Sequence, residues 1–142
     1  SPYPEENKLL KPVMTLKTKV INLKKVKKGS GVSYNHKYIV ENDAILAVIP
    51  LGYGDGIRRN LSNKLSVSIN GRNYFQRGTI TMDLTAIEVD DKVKLGDEVI
   101  VFGKREEGFN TADTLAKLSE TISYEITTAI SERVDRIPIN GD

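Results

Sequence analysis

The middle of the chain runs Leu65-Ser66-Val67-Ser68-Ile69-Asn70-Gly71-Arg72-Asn73-Tyr74-Phe75. In its first half, apolar and polar residues alternate, which is typical of a strand with one buried face. An Asn-Gly pair between two strand-like runs is the strongest short signal for a hairpin, because a type I′ turn needs positive φ at both central residues. The segment therefore predicts two antiparallel strands, and it favours a β fold for the chain around them.

Further strands are predicted on both sides of this hairpin. Alternation favours a strand with one wet face, and a short continuous apolar run favours a buried one. These strands are expected at residues 14–23, 44–50, 79–89, 98–102 and 134–139. Pro138 restricts the last of them to an edge or an end, because proline lacks the N–H that a central strand needs. The lysine-rich stretch 24–28 and the glycines after it predict a solvated, flexible turn.

The pattern becomes helical near the C-terminus. Asn110 or Thr111 can cap a helix that runs to about Ser119. Residues 124–130 fit either a strand or a helix, and we favour a short helix. The expected fold is therefore mainly β, a small Greek-key-like β-barrel or sandwich with one or two short C-terminal helices.

Length and composition restrict the function. The 142 residues suffice for one domain, and the net charge of +2 is too small to indicate a nucleic-acid partner. The absence of cysteine excludes disulfides and thiol catalysis. The single histidine, His36, cannot build a multi-histidine metal site. We therefore expect neither a metal nor a nucleic acid to bind.

The N-terminus suggests a piece of a longer polypeptide. Residues 1–12 contain Pro2, Pro4 and Pro12 without a periodic pattern, so we expect an interdomain linker followed by one domain at residues 13–142. The chain begins with Ser1 instead of Met, and it shows neither a signal peptide nor an apolar run long enough for a membrane helix. These features favour a cytoplasmic location without membrane contact.

Four short segments contain residue types that could take part in chemistry. They are Gly31-Val32-Ser33-Tyr34, Leu51-Gly52-Tyr53-Gly54-Asp55-Gly56, Thr81-Met82-Asp83 and Ser123-Tyr124-Glu125. Glycines at alternate positions of the second segment let the backbone turn sharply and approach a ligand closely. Each segment also has a purely structural interpretation, such as a packed tyrosine or an aspartate that faces solvent on a strand. No nucleophile–base pair accompanies them, which argues against hydrolase chemistry.

Taken in order, these segments resemble the C-terminal domain of the alanine racemases. The resemblance rests on Val32-Ser33-Tyr34, on Pro50 to Gly56, on Gly78-Thr79-Ile80-Thr81-Met82-Asp83 and on Thr121 to Glu125, and it extends to residues 12–16 and 133–138. No single motif is decisive, but the ordered set covers nearly the whole chain.

The resemblance implies an enzyme of fold type III that depends on pyridoxal 5′-phosphate. In that family an N-terminal β/α barrel carries the cofactor on a lysine. The C-terminal β-domain packs over the barrel of the other subunit in a homodimer. The implied substrate is a small amino acid, and the implied role is the supply of D-alanine for the cell wall.

The resemblance also implies roles for individual residues. By match to the motifs, Tyr34 would be the catalytic base, and Tyr124 would contact the cofactor phosphate. The residues that would bind the substrate are Tyr53, Met82, Asp83 and Arg59, with Arg58 in place of Arg59 in an alternative alignment. Met82 would act through its backbone N–H. Since these residues normally face a barrel, Tyr34, Tyr53 and Met82 should share an exposed apolar surface.

The implied reaction explains why a tyrosine is needed. Racemisation removes a proton from one face of the substrate Cα and returns one to the other face, so two bases must flank the carbon, and the cofactor accepts the electrons. A phenol titrates near 10 in water, so a neighbouring cation would have to lower the pKa of Tyr34 towards the working pH. No cofactor-lysine motif is present, and 142 residues cannot hold a barrel of about 250. We therefore expect the isolated chain to be inactive.

Three positions depart from the family pattern. Asn35 follows the tyrosine where glycine is usual, Gly54 stands where alanine is usual, and Thr79 stands where an arginine often supports the tyrosine. Two alternatives stay open at this point. One is the equivalent domain of a serine, lysine or broad-specificity racemase, and the other is a non-catalytic β-barrel module for dimerisation or interaction.

Overall fold

The computed structural model describes residues 11–33, 38–104 and 109–139. The strands are β1 (Leu16–Lys19), β2 (Asn22–Val26), β3 (Gly31–Val32), β4 (Tyr38–Ile39), β5 (Ala44–Ile49), β6 (Ser66–Ile69), β7 (Arg72–Phe75), β8 (Thr85–Val89) and β9 (Glu98–Phe102). The helices are α1 (Ala112–Leu118), α2 (Ser123–Thr128) and two 3₁₀ helices, Tyr53–Asp55 and Arg59–Leu61. The prediction of a mainly β fold with short C-terminal helices is confirmed.

The strands form two larger sheets and one small pair. The larger sheets have the orders β1-β9-β6-β7 and β2-β5-β8, and β3 pairs with β4. All these pairings are antiparallel. A single bridge between Gln76 and Ile87 connects the end of β7 to β8. Within the described residues, the pairings give sheets that meet at this corner and do not close into a barrel.

The central hairpin forms as its sequence predicts. β6 and β7 pair with Ile69 opposite Arg72, which leaves Asn70 and Gly71 as the two turn residues. Their φ angles are 53° and 74°, the positive values that a type I′ turn requires. The Asn-Gly pair was sufficient to predict this hairpin, because the same two residues set both the turn type and the strand register.

One apolar cluster joins the two larger sheets and both helices. It includes the side chains of Ile49, Ile69, Ile87, Leu115 and Ile126. The three isoleucines are completely inaccessible to solvent. Burial of each such side chain stabilises the fold by about 1.5–3 kcal/mol relative to an exposed position. A smaller cluster of Val32, Val40 and Leu46 lies under the β3–β4 pair.

The helices also follow their predictions. Of the two proposed caps, Thr111 is the residue that caps α1, because its hydroxyl accepts a hydrogen bond from the Thr114 N–H at 3.2 Å. The segment expected at residues 124–130 forms α2, which begins at Ser123. Among the residues described, no helix has the length and apolar character to cross a membrane.

The prediction of one strand over residues 14–23 is wrong in one respect. The segment contains two strands, β1 and the start of β2. The Val20 N–H donates to the Asp97 carbonyl at 3.0 Å, whereas the Ile21 N–H donates to the Val48 carbonyl at 2.9 Å. The chain therefore passes from one sheet to the other between these two residues. The turn predicted at residues 24–28 is also too long, because β2 continues to Val26 with its lysines exposed.

Two other strand predictions need correction. Of residues 79–89, only Thr85–Val89 form a strand, because Thr81 bonds to Leu84 and closes a turn before it. Residues 134–139 form no strand. In this segment Arg136 donates to the Ile130 carbonyl at 2.8 Å, which keeps the chain beside the end of α2. Of the predicted linker, residues 11 and 12 are exposed coil, and the rest lies outside the described residues.

Candidate active-site surface

The glycine-rich segment forms a tight turn directly after β5. The buried carboxylate of Asp55 accepts a hydrogen bond from the Gly52 N–H at 2.8 Å, which closes the 3₁₀ helix Tyr53–Asp55. A Cβ added to Gly52 would lie 2.1 Å from the Thr81 carbonyl oxygen. Glycine is therefore required at this position because two backbone segments approach each other too closely for a side chain.

Backbone hydrogen bonds join this turn to the segment that contains Met82. The N–H groups of Tyr53 and Gly54 donate to the carbonyls of Thr81 and Met82, each at 2.9 Å. Residues that are far apart in sequence are thereby fixed side by side. The prediction that Asp83 lies inside a strand is wrong, since residues 81–84 form a turn whose carbonyl groups face the glycine-rich segment.

The side chains of this region form an exposed, partly apolar surface. Tyr53 is 46% exposed and Met82 is 49% exposed, and Leu84 in the same turn is 44% exposed. Side chains of this size normally lose such exposure in a core or an interface. In the described part of the chain, no acceptor takes a hydrogen bond from the Met82 N–H. The surface thus presents apolar groups together with a backbone donor.

Arg133 is partly exposed beside this surface and pairs with two carboxylates. Its Nη2 donates to Asp83 Oδ1 at 2.5 Å, and its Nε lies 3.3 Å from Asp55 Oδ1. The hydrogen bond to Asp83 and the charge of Asp55 raise the pKa of the Arg133 guanidinium, so it stays charged. No motif in the sequence marks Arg133 as a site residue. The only signal was its membership of the C-terminal stretch that resembles the racemases.

α2 is tied to the glycine-rich turn and carries Tyr124 at its exposed side. Arg58 Nη2 lies 3.1 Å from Glu125 Oε2, and the Ser131 N–H donates to the Asp55 carbonyl at 3.0 Å. The Tyr124 ring is 53% exposed. The Ala129 carbonyl, at the end of α2, also lies directly against Gly56. The end of α2 therefore packs on the glycine-rich segment.

The two arginines that compete in the alignment differ in their surroundings. Arg59 is exposed in the second 3₁₀ helix. Arg58 is partly buried, makes the ion pair with Glu125, and has an Nε without a hydrogen-bond partner in the described residues. Arg58 thus contributes to the packing of α2, whereas the side chain of Arg59 extends into solvent.

Tyr34, the predicted base, lies outside the described residues, but the structure places the residue before it. A Cβ added to Gly78 would lie 2.5 Å from Ser33 Oγ and 2.8 Å from the Val32 carbonyl oxygen. Ser33 therefore packs against the segment that continues through buried Thr79 towards Met82.

Two other tyrosines, Tyr38 and Tyr74, are unsuited to act as bases near neutral pH. Burial raises the pKa of Tyr38, and the nearby Glu88 carboxylate adds to the effect. Burial likewise raises the pKa of Tyr74, whose hydroxyl donates to Asp90 at 3.0 Å. A general base needs the opposite shift. Across the described ranges, no three histidine, cysteine or acidic side chains come together as a metal site would require.

The fold and this surface define a small antiparallel β domain whose candidate site is open on one side. The family model described as "Alanine racemase, C-terminal domain" matches residues 13–138. The chain therefore belongs to the family of alanine racemase C-terminal domains.

Relatives and solved structures agree with this assignment. The chain is 44% identical to alanine racemase 1 of Clostridium acetobutylicum over 142 residues, which cover 97% of this chain and 37% of that protein. It superimposes on alanine racemase from Streptomyces coelicolor A3(2) with a TM-score of 0.93 at 38% identity, covering 99% of this chain and 38% of that one. The alanine racemase of Bacillus anthracis with bound L-Ala-P gives a TM-score of 0.86 at 37% identity, covering 94% of this chain and 36% of that one.

The chain spans little more than a third of the length of these proteins. The matched part is the C-terminal domain, and the remaining length of each relative has no counterpart in the 142 residues.

Proposed function

We propose that this chain is the C-terminal domain of a pyridoxal-phosphate-dependent alanine racemase and supplies Tyr34 as the base on one face of the substrate Cα. The observation that carries the proposal is the backbone bonding of the glycine-rich turn to the Met82 turn. It brings the residues of two separate motifs, Tyr53 and Met82, to one exposed surface. The half exposure of these side chains is typical of a surface that another domain covers.

The Met82 N–H is the proposed donor to the substrate carboxylate. A backbone N–H without an acceptor in its own domain is suited to bind an anionic group from outside. The Tyr53 ring beside it restricts the space around a small side chain. Together these groups would orient alanine with its Cα towards the Tyr34 segment, while Asp83 fixes the turn from behind.

The cofactor would be held mainly by a barrel domain, with Tyr124 as the contact from this chain. The residue fits that role because its ring is 53% exposed on a helix whose end packs against Gly56 of the glycine-rich segment. A phenol O–H can donate to a phosphate oxygen. When bound, pyridoxal phosphate supplies the electron sink that makes the Cα proton of an amino acid removable.

The proposal includes a homodimer in which the exposed surface faces the barrel of the second subunit. An apolar surface rimmed by charged groups is typical of such an interface. In the cell the enzyme would supply D-alanine for the cell wall from the cytoplasm, without contact between this domain and a membrane.

The direct test expresses the complete reading frame that contains this chain and measures interconversion of L- and D-alanine, with L-serine and L-lysine as competing substrates. Tyr34→Phe should lower the alanine rate by about 10² to 10⁴ or more, the usual effect of a lost general base. Tyr74→Phe is the matched control, because it removes a hydroxyl that is bonded inside the domain to Asp90. It should cost about 1 kcal/mol of stability and leave the rate near that of the wild type.

The outcome separates the proposal from its alternatives. A reading frame without a cofactor lysine, or without activity on any of the three amino acids, would favour the non-catalytic interaction module. Faster turnover of serine or lysine would assign the domain to a different racemase. Equal rates for the Tyr34→Phe enzyme and the wild type would remove Tyr34 from the mechanism.

A further inference from the structure

We propose that Arg133 is a positioning residue that holds the Met82–Asp83 turn in the geometry needed to bind the substrate carboxylate. The inference rests on the proposed function and adds to it a residue from a third segment of the chain. Arg133 does not have to touch the substrate for this role, because it acts through Asp83 and through the backbone that precedes it.

The contacts of the guanidinium carry the argument. One edge donates to Asp83 at 2.5 Å, and Nε lies 3.3 Å from the buried carboxylate of Asp55. Asp83 belongs to the Met82 turn, and Asp55 closes the glycine-rich turn through its bond to Gly52. The planar fork of arginine can pair with two carboxylates at once, which a lysine ammonium on its flexible stem does less well.

Gly54 provides the space for this bridge. A Cβ added there would lie 2.2 Å from Arg133 Nη1 and 3.1 Å from Met82 Cγ. The guanidinium therefore lies directly against the backbone of the glycine-rich turn. A methyl group at this position would require the flexible end of the Arg133 side chain to shift.

The bridge also balances charge at the site. Arg133 is the ion-pair partner of both the buried Asp55 and the exposed Asp83. Without its positive charge, two negative charges would remain near the position where the substrate carboxylate would bind. Removal of the cation would both release the turn and repel the ligand. Both effects weaken substrate binding more than they affect the proton transfer at Tyr34.

The test uses the full-length enzyme with Arg133→Gln, which removes the charge and the fork. The KM for L-alanine should rise about tenfold or more, the size expected for a lost charge-assisted hydrogen bond. The kcat should fall by a smaller factor, and the pH profile of kcat should stay that of the wild type. Arg133→Lys should recover part of the loss.

Arg72→Gln, which removes a cation on β7 that lies 3.9 Å from Asp90, is the control and should keep wild-type kinetics.

A second measurement does not depend on activity. Amide hydrogen exchange at residues 81–84 should be faster in Arg133→Gln than in the wild type and unchanged in Arg72→Gln. A double variant with Asp83→Asn should raise the KM no further than the larger of the two single changes, because both act through one contact.

The results distinguish the two proposals. If the wild-type protein does not racemise alanine, the proposed function fails and takes the substrate role of Arg133 with it, while the exchange rates still decide whether the bridge holds the turn. In an active enzyme, an unchanged KM or unchanged exchange in Arg133→Gln overturns the inference. A lower melting temperature with an unchanged KM would show a purely structural role and would overturn it too.

Discussion

Gly78 combines a positive φ of 80° with close packing against Ser33. Its N–H donates to Asn63 Oδ1 at 2.7 Å, and its carbonyl accepts from the buried side-chain amide of Gln76 at 2.8 Å. Gly78, against which Ser33 packs, is thus held by a polar network inside the domain. Glycine is favoured at position 78 for two separate reasons: its positive φ, and the lack of space for a Cβ beside Ser33.

The two reasons can be separated by comparing Gly78→Ala with Gly71→Ala. Gly71 has a similar φ of 74° but nothing within 4 Å of an added Cβ. Gly71→Ala should therefore cost only the left-handed strain, about 1–2 kcal/mol. Gly78→Ala should cost about 1–3 kcal/mol more, because the methyl group would overlap Ser33. Urea denaturation of the 142-residue chain measures both. Equal losses would contradict the packing described around Ser33.

Asp97 connects the turn before β9 to the central hairpin. Its carboxylate accepts hydrogen bonds from the Lys94 N–H at 2.8 Å and from the Asn70 side-chain amide at 2.9 Å. The backbone donor of Lys94 first, and then the amide of Asn70, lower the pKa of Asp97 below its ordinary value of 3.8. Two loops at the same end of the sheet therefore depend on one ionised group.

This arrangement predicts an acid-sensitive contribution to stability. Since the pKa is lower in the folded state than the unfolded value of 3.8, the stabilisation is complete above that pH and is lost as the pH falls through the folded-state pKa. Asp97→Asn should be less stable than the wild type at neutral pH, and the difference in the free energy of unfolding should shrink as the pH falls below 3.8. A difference that stays constant with pH would show that ionisation of Asp97 does not matter.

Local signals predicted the elements that local interactions determine. The Asn70-Gly71 turn and the Thr111 cap each depend on residues within a few positions, and both predictions were confirmed. Residues 79–84 alternate as a strand would, yet the carbonyls of Thr81 and Met82 accept hydrogen bonds from the glycine-rich turn instead of from a neighbouring strand. The bridge from Arg133 to Asp83 joins residues 50 positions apart, and no periodic pattern marks such a pair. The sequence alone therefore proposed the segments of the candidate site but did not indicate the contacts between them.

The domain has its own core, so the isolated chain should fold without a partner domain. Its apolar cluster joins both larger sheets and both helices. The chain should nevertheless form no D-alanine from L-alanine in the presence of pyridoxal phosphate, because the proposed cofactor lysine belongs to a barrel that 142 residues cannot contain. A cooperative unfolding transition together with turnover no higher than that of free cofactor is the expected result. Turnover well above that background would show that a barrel is unnecessary.

The central claim is that Tyr34 moves a proton on one face of the substrate only. It is tested most directly by solvent deuterium exchange at the alanine Cα in the full-length Tyr34→Phe enzyme. The α-proton of the enantiomer that the barrel lysine deprotonates should still exchange at a measurable rate, because that base is untouched. Exchange of the other enantiomer should be lost, since phenylalanine keeps the ring but has no ionisable oxygen. Equal exchange of L- and D-alanine in the Tyr34→Phe enzyme would contradict the account, whatever the overall rate of racemisation.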